Sequence, residues 1–367
     1  MDDELISLLS EASVTLGRLD GTANRLPNPD LFVAMYIRQE AVLSSQIEGT
    51  QSTLQDVLQY EIDPDRGIHP VDVQEVVNYV RAMDYGLSRL DELPLSLRLL
   101  RQIHMQLLSG TRGGSHSLGV FRGGQNHVGP PGCTLATAKY VPPPVPEMRE
   151  ALNDLEIYLH KENVSSLLHC ALAHAQFETI HPFWDGNGRV GRLLITFLLC
   201  QKGTLRRPLL YLSHYFKANR TEYYDRLMTI RNSGEWESWL KFFLRGVIEV
   251  SDSATATADR IMDLREKHRA LILQEMPTSH YGIALLDRLF EYPVVNVRKV
   301  ESLIESSYYT ANKTVQRLSA FGILEEITGR ERDRIYQYAP YLDLFEAAHK
   351  TSDIASEEVE TTNYQQG

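Results

Sequence analysis

HPFWDGNGRVGR, residues 181–192, packs a histidine, a carboxylate, an asparagine, three glycines and two arginines into twelve positions. Its centre, Asp185-Gly186-Asn187-Gly188, carries too much turn chemistry for a helix: Gly and Asn tolerate positive φ, and Asp makes local side-chain hydrogen bonds. Directly after it the chain turns apolar. Leu193, Leu194, Ile195, Phe197, Leu198 and Leu199 can all be buried only in a central helix of an all-helical core. The loop therefore sits on a helix N-terminus, where unpaired backbone N–H groups and the helix dipole favour an anion and glycines let a phosphate come close. Arg189 and Arg192, three apart, project from the first turn and oppose that dipole, which a bound anion would offset. A glycine-rich turn with arginines in salt bridges is the plainer reading of an isolated Gly-Asn-Gly; the full twelve residues favour phosphate handling.

The chemistry follows from residue type. Histidine has an unperturbed pKa near neutrality, so His181 can accept a hydroxyl proton during attack on phosphorus. A carboxylate four residues on, Asp185, suits Mg²⁺, which takes one or two protein oxygens beside phosphate oxygens and water. Together they fit an in-line phosphoryl-type transfer site.

At this point the stretch resembles a known family: it matches the Fic signature HPFx(D/E)GNGRxxR at each fixed position. The resemblance implies a mainly α fold, a Fic-type helical bundle with a β-hairpin flap, and transfer of AMP from ATP onto a hydroxyl of target proteins and of the chain itself. It makes His181 the general base and Asp185 the magnesium ligand. Gly186, Asn187 and Gly188 become the phosphate nest, while Arg189 and Arg192, with Val190 and Gly191 between them, complete the ATP-binding stretch. Pro182 and Phe183 shape the loop. The kinase-like Doc branch carries an Ala-Asn-Lys-Arg type of core, which is absent here. Upstream, Ser44-Ser45-Gln46-Ile47-Glu48-Gly49 is similar to the family's inhibitory pattern (S/T)xxxE(G/N). Ser44 and Glu48 share one helical face, and the resemblance implies that Glu48 reaches Arg192 and blocks productive seating of the γ-phosphate. An ordinary surface pair with a C-cap glycine is the bland alternative. Tyr224 is the first choice for an adenine contact, ahead of Tyr215 and Asn219, and core packing accounts for each of them equally well.

Composition bounds the remainder. A length of 367 residues with 43% hydrophobic content implies two or three domains. The formal charge of −11 argues against a general polyanion-binding surface, so DNA is not the default partner. Cys133, Cys170 and Cys200 form no CxxC pair, which fits a reducing cytoplasm, and no apolar run is long enough to cross a bilayer. A cytoplasmic protein without membrane association is expected. ATP is the expected small-molecule partner and a homo-oligomer a candidate assembly; neither the target protein nor the oligomeric state is legible.

In chain order, a polar, loop-like opening precedes a helix from Leu31 to Glu48, with Asp30 as candidate N-cap. Helical periodicity spans Val71–Leu90 and Leu95–Leu108, where His104 reads as a packing histidine. Between Gly110 and Gly132 stand ten glycines or prolines, which exclude a long helix. Short β-prone pieces at His127-Val128 and Ala138–Val141 predict a hairpin whose edge could pair with an extended target segment. Helices follow from Pro146 to His160 and from Ser165 to Ile180. Trp236–Val250 completes the bundle and Ser251–Gln274 is a charged linker helix. Beyond Pro277 the order helix, short helix, helix and strand resembles a winged helix-turn-helix, with Thr310–Phe321 in the recognition position and Thr328–Arg334 as wing tip. The expected division is 1–60, an N-terminal region with the inhibitory helix; 61–250, the catalytic core; 251–276, the linker helix; 277–345, the winged helix-turn-helix; and 346–367, a disordered tail. Two rivals to a self-inhibited adenylyltransferase remain: a transcriptional regulator that only senses nucleotide, and removal of AMP at the same site with Glu48 orienting water.

Overall fold

The computed structural model describes residues 2–23, 29–62, 70–111, 117–130, 132–162 and 164–345. The expected tail, 346–367, lies outside these. The described chain is mostly helical, in two compact units: one made of 1–20, 37–53 and 69–252, the other of 21–36, 54–68 and 253–367. No helix among the described residues is long and apolar enough to cross a membrane.

The first unit is built around α8 (Asn187–Gln201), in which twelve of fifteen residues are buried, so it can only be a central helix. Its neighbours are α4 (Pro70–Leu90), α5 (Leu97–Leu108) and α7 (Ser166–Ile180), and α6 (Val145–Leu159) covers the far side of α7. Ser96 caps α5 through its hydroxyl, which accepts from Leu99 N–H. The close crossing of α4 on α8 depends on a missing side chain: a Cβ at Gly86 would fall 2.3 Å from the Phe197 ring. Behind α8, Trp239 at the start of α11 (Trp236–Glu275) packs in an aromatic cluster with Phe216, Tyr223, Phe242 and Phe243, and its indole N–H donates to Ala171 O at 2.9 Å.

Four expectations are corrected here. The opening is a helix, α1 (Asp3–Ala23), buried at Leu5, Ala12, Leu16 and Leu19 and opened by Asp2, whose carboxylate accepts from Leu5 N–H. Gly17 and Gly21 dilute its apolar stripe, which is why it reads as loop. The next helix, α2 (Pro29–Ile47), begins at Pro29, so Asp30 lies within its first turn and does not cap it. The linker helix is no separate element, because α11 runs unbroken for 40 residues with neither Gly nor Pro between Ser251 and Glu275. The flap is also leaner than a hairpin: Val128 and Tyr140 form one isolated antiparallel bridge, and the surrounding glycines and prolines supply too few ladder partners to extend it.

In the second unit, α3 (Leu54–Ile62) packs near β1 (Val294–Asn296). α12 (His280–Leu289), β1, α13 (Val297–Leu303), α14 (Tyr308–Ala320), β2 (Glu325–Glu326) and β3 (Ile335–Gln337) follow in order, and the strands form an antiparallel sheet ordered β1-β3-β2. Asn296 and Ser307 cap α13 and α14, so α14 starts two residues earlier than periodicity alone suggests.

The α4–α8 crossing yields a stability test. Alanine gains about 1 kcal/mol over glycine in a helix interior, but overpacking a closed core costs about 1–3 kcal/mol, and Phe197 has nowhere to turn. Gly86→Ala should therefore lower the urea midpoint at an unchanged m-value; a rise would mean that the ring repacks without strain.

Candidate active site

α7 ends and α8 begins on either side of the 181–187 loop, and the loop's shape is set by side chains that do no chemistry. His181 is the C-cap of α7 in the left-handed region (φ 48°, ψ 61°), with its N–H on Phe177 O at 2.9 Å. Gly186, also left-handed (φ 76°), is the N-cap of α8. Asn187 staples the loop in both directions: its Oδ1 accepts from Phe183 N–H at 2.8 Å and its Nδ2 donates to Phe183 O at 2.9 Å. The Asn187 side chain is thus consumed internally, and its contribution to the nest is its backbone N–H. That N–H, with those of Gly188 and Arg189, precedes the first intrahelical bond, Val190 N–H to Gly186 O at 3.0 Å. Val190 itself is core, and Gly191 O accepts from His174 Nδ1–H at 2.8 Å.

His104, expected to pack, does so and also braces the loop. Its ring stacks on Phe183 (3.8 Å between centroids), its Nδ1 accepts from Gly119 N–H at 3.0 Å, and Nε2–H then donates to Asp185 O at 3.1 Å. Burial pushes its pKa down to about 4, so the ring is neutral and the tautomer is fixed by the two partners.

Both arginines meet carboxylates. Arg192, 2% exposed, donates from Nη2 to Glu48 Oε1 at 2.7 Å and to Ser44 O at 2.9 Å, and from Nε to Ser44 Oγ at 2.7 Å. Burial alone would raise the Glu48 carboxyl, but Arg192 offsets this and holds it below its ordinary value. The Glu48 carboxylate lies directly on the nest: a Cβ at Gly188 would stand 2.1 Å from Glu48 Oε1. Arg189 donates from Nη1 to Glu75 Oε2 at 2.9 Å and lies 3.6 Å from Asp185 Oδ1, while its buried Nε has no acceptor among the described residues. Glu75, on α4, carries no motif that sequence reasoning could have used.

The His181 pKa is pushed down to about 4, first by burial and then by the nearby Arg231 charge, so the imidazole is neutral at neutral pH and able to accept a proton. One turn earlier, Glu178 is buried with Oε1 unpartnered against Gly191, and burial raises it to about 7. Glu40, bonded to Ser213 and Tyr79, is likewise pushed up to about 7 by burial. Tyr224 is partly exposed with Arg220 over its ring at 5.5 Å, which leaves it available to a ligand. Tyr215 is core beside Phe242, and Asn219 Nδ2 donates to Tyr215 O, so both are structural.

Asp185 is half-exposed, and no cluster of three or more His, Cys, Asp or Glu able to hold a metal occurs among the described residues. One hard carboxylate at the nest mouth fits Mg²⁺ only as a single protein ligand completed by phosphate oxygens and water.

A neutral, half-buried histidine thus stands beside an arginine-flanked, glycine-lined helix N-terminus on a helical bundle. Residues 6–88 match the Fic/DOC family N-terminal region and residues 94–199 the Fic/DOC family, so the chain carries Fic/DOC-family domains. It is 30% identical over 172 residues to "Protein adenylyltransferase Fic" of Drosophila virilis, covering 46% of this chain and 32% of that protein. It is 26% identical over 239 residues to the protein of the same name in Drosophila erecta, 63% of this chain and 42% of that one. The chain thus spans less than half of these relatives. A solved Fic family protein from Desulfovibrio desulfuricans shares the fold with a TM-score of 0.60 at 20% identity, covering 92% of this chain and 96% of that one. Fic-1 from C. elegans does so at 0.50 and 22%, covering 70% and 74%.

Asn187 makes the loop testable apart from its chemistry. Asn187→Ala leaves the buried Phe183 N–H without an acceptor, which costs about 1–3 kcal/mol. Chemical denaturation should register that loss; a variant as stable as the parent would show that water replaces the staple.

Proposed function

We propose that this chain is a self-inhibited protein adenylyltransferase. It transfers AMP from ATP to a Tyr, Ser or Thr hydroxyl of target proteins and of itself, and releases pyrophosphate. The observation that carries the self-inhibition is the Glu48 carboxylate lying over Gly188 while paired with Arg192. It fills the space and takes the cation that an outer phosphate of ATP would use.

With Glu48 withdrawn, the backbone N–H groups of Asn187, Gly188 and Arg189 and the freed edge of Arg192 bind the phosphates. Glu75 holds Arg189 by one nitrogen, and its unpartnered Nε points the same guanidinium at an anion. His181 takes the proton of the acceptor hydroxyl as its oxygen bonds to the α-phosphorus and the bond to the β-phosphate oxygen breaks. Mg²⁺, held by Asp185, would neutralise charge on the phosphates. Tyr224 is the candidate adenine contact. The 277–345 segment, with its helix-turn-helix order and a three-stranded sheet, is proposed as a winged helix-turn-helix that docks partners; its Val294–Tyr338 stretch holds seven Lys/Arg against six Asp/Glu, too balanced to favour DNA.

Two experiments test this. Glu48→Gly should raise AMP transfer from labelled ATP to protein by roughly 100-fold, since about 1 Å of misalignment costs that much. Adding Arg192→Lys should cancel the gain, because an ammonium cannot replace the bidentate fork. A folded, ATP-bound Glu48→Gly protein no faster than the parent would remove the inhibitory role, and one that hydrolyses AMP from modified protein more slowly than the parent would favour AMP removal.

His181→Asn keeps a side chain that accepts left-handed backbone, so the change isolates the base. Transfer should fall roughly 100-fold or more with ATP affinity retained, as measured by calorimetry. Undiminished turnover would place the base elsewhere and leave a nucleotide-sensing role for the site.

A further inference from the structure

Arg122 is fully buried, yet its partners are carbonyl oxygens of three separate segments. Nε donates to His181 O at 3.0 Å, Nη1 to Gly124 O at 2.9 Å, and Nη2 to Pro143 O. Its own N–H donates to Pro182 O at 2.8 Å. Gly124 and Pro143 are the two roots of the flap, whose arms meet at the bridge where Val128 and Tyr140 exchange backbone hydrogen bonds of 2.8 and 3.0 Å. Burial pulls the Arg122 pKa down, and the three carbonyl acceptors compensate the lost hydration of a guanidinium that stays charged. A guanidinium suits the position because each carbonyl meets a different nitrogen of its rigid planar fork, whereas an ammonium offers its three donors from a single nitrogen and cannot reach all three.

We infer that Arg122 is a positioning residue that locks the backbone of the base, His181, to both roots of the flap, so that the surface presenting a target and the group accepting its proton move as one piece. His181 sits in a left-handed conformation, which needs support from its surroundings, and its carbonyl is the atom Arg122 holds. Asn126 reinforces the weld, donating from Nδ2 to Phe183 O at 3.0 Å. The phosphate nest lies at the other end of the loop and is braced by Asn187 and His104, neither of which bonds to Arg122. Loosening Arg122 should therefore disturb the base and the flap while leaving the nucleotide seat intact. The inference rests on the reading of His181 as the base.

The test is Arg122→Lys in the full chain, with and without Glu48→Gly, and three measurements. Amide exchange at Val128 and Tyr140 should accelerate roughly tenfold or more as the flap roots come free. ATP affinity by calorimetry should stay within about twofold, and the rate of AMP transfer at saturating ATP should fall roughly tenfold or more, the scale expected for a displaced base. Unchanged flap exchange overturns the proposal, and so does an ATP affinity that falls in step with the rate. If the Glu48→Gly protein transfers no AMP at all, the adenylyltransferase reading has failed, and the exchange data together with the His181 imidazole resonance, which should shift in Arg122→Lys, still decide whether Arg122 holds base and flap together. Arg122→Gln, which keeps one donor without a buried charge, serves if the lysine variant does not fold.

Discussion

A guanidinium buried in a helical bundle must be satisfied, and the first unit is arranged around satisfying Arg192. Leaving such a charge unpaired would cost several kcal/mol, so the last turns of α2 are recruited to it: Ser44 supplies a hydroxyl and a carbonyl, Glu48 a carboxylate. Glu48, just past the end of α2, in turn leaves room only for glycine at position 188. The resting arrangement is therefore a stable electrostatic solution, and any nucleotide phosphate that replaces Glu48 must offer Arg192 an equivalent anion. On the proposed function, a tethered carboxylate and a diffusing phosphate would compete for one cation.

How much of this was legible in the residues depends on range. The 181–192 loop, its helix N-terminus and the Ser44–Glu48 face are local patterns, and their geometry is as periodicity and turn chemistry imply. Side chains acting across the fold were invisible. Glu75 on Arg189, Arg122 on His181 and His104 on Asp185 join segments 114, 59 and 81 residues apart and leave no spacing rule behind. The loop pattern places Asn187 in the backbone nest, but the second task of its side chain, holding Phe183 from both directions, leaves no pattern in the sequence. The missed α1 and the over-extended flap have a common origin in glycine: in α1 it dilutes a real helical stripe, and in the flap it removes the ladder that β-prone residues seemed to promise. At α11 a change from apolar to charged surface reads as the start of a separate linker helix; the helix is unbroken because no residue there ends it, while the division between the two units does fall at 252/253.

The neutral buried groups of the site carry a further consequence. His104, His169 and His181 are held near pKa 4 and His174 near 3, chiefly by burial, so below about pH 6.5 unfolding takes up protons and the folded form loses stability as acid is added. Glu40 and Glu178, raised by burial to about 7, work the other way: between their ordinary 4.5 and 7, unfolding releases protons, and acid favours the fold. Four imidazoles outnumber two carboxyls, so acidification destabilises on balance, but the carboxyls blunt its onset between pH 4.5 and 6.5. The interior of the first unit thus holds two sets of groups whose protonation pulls stability in opposite directions as the pH falls.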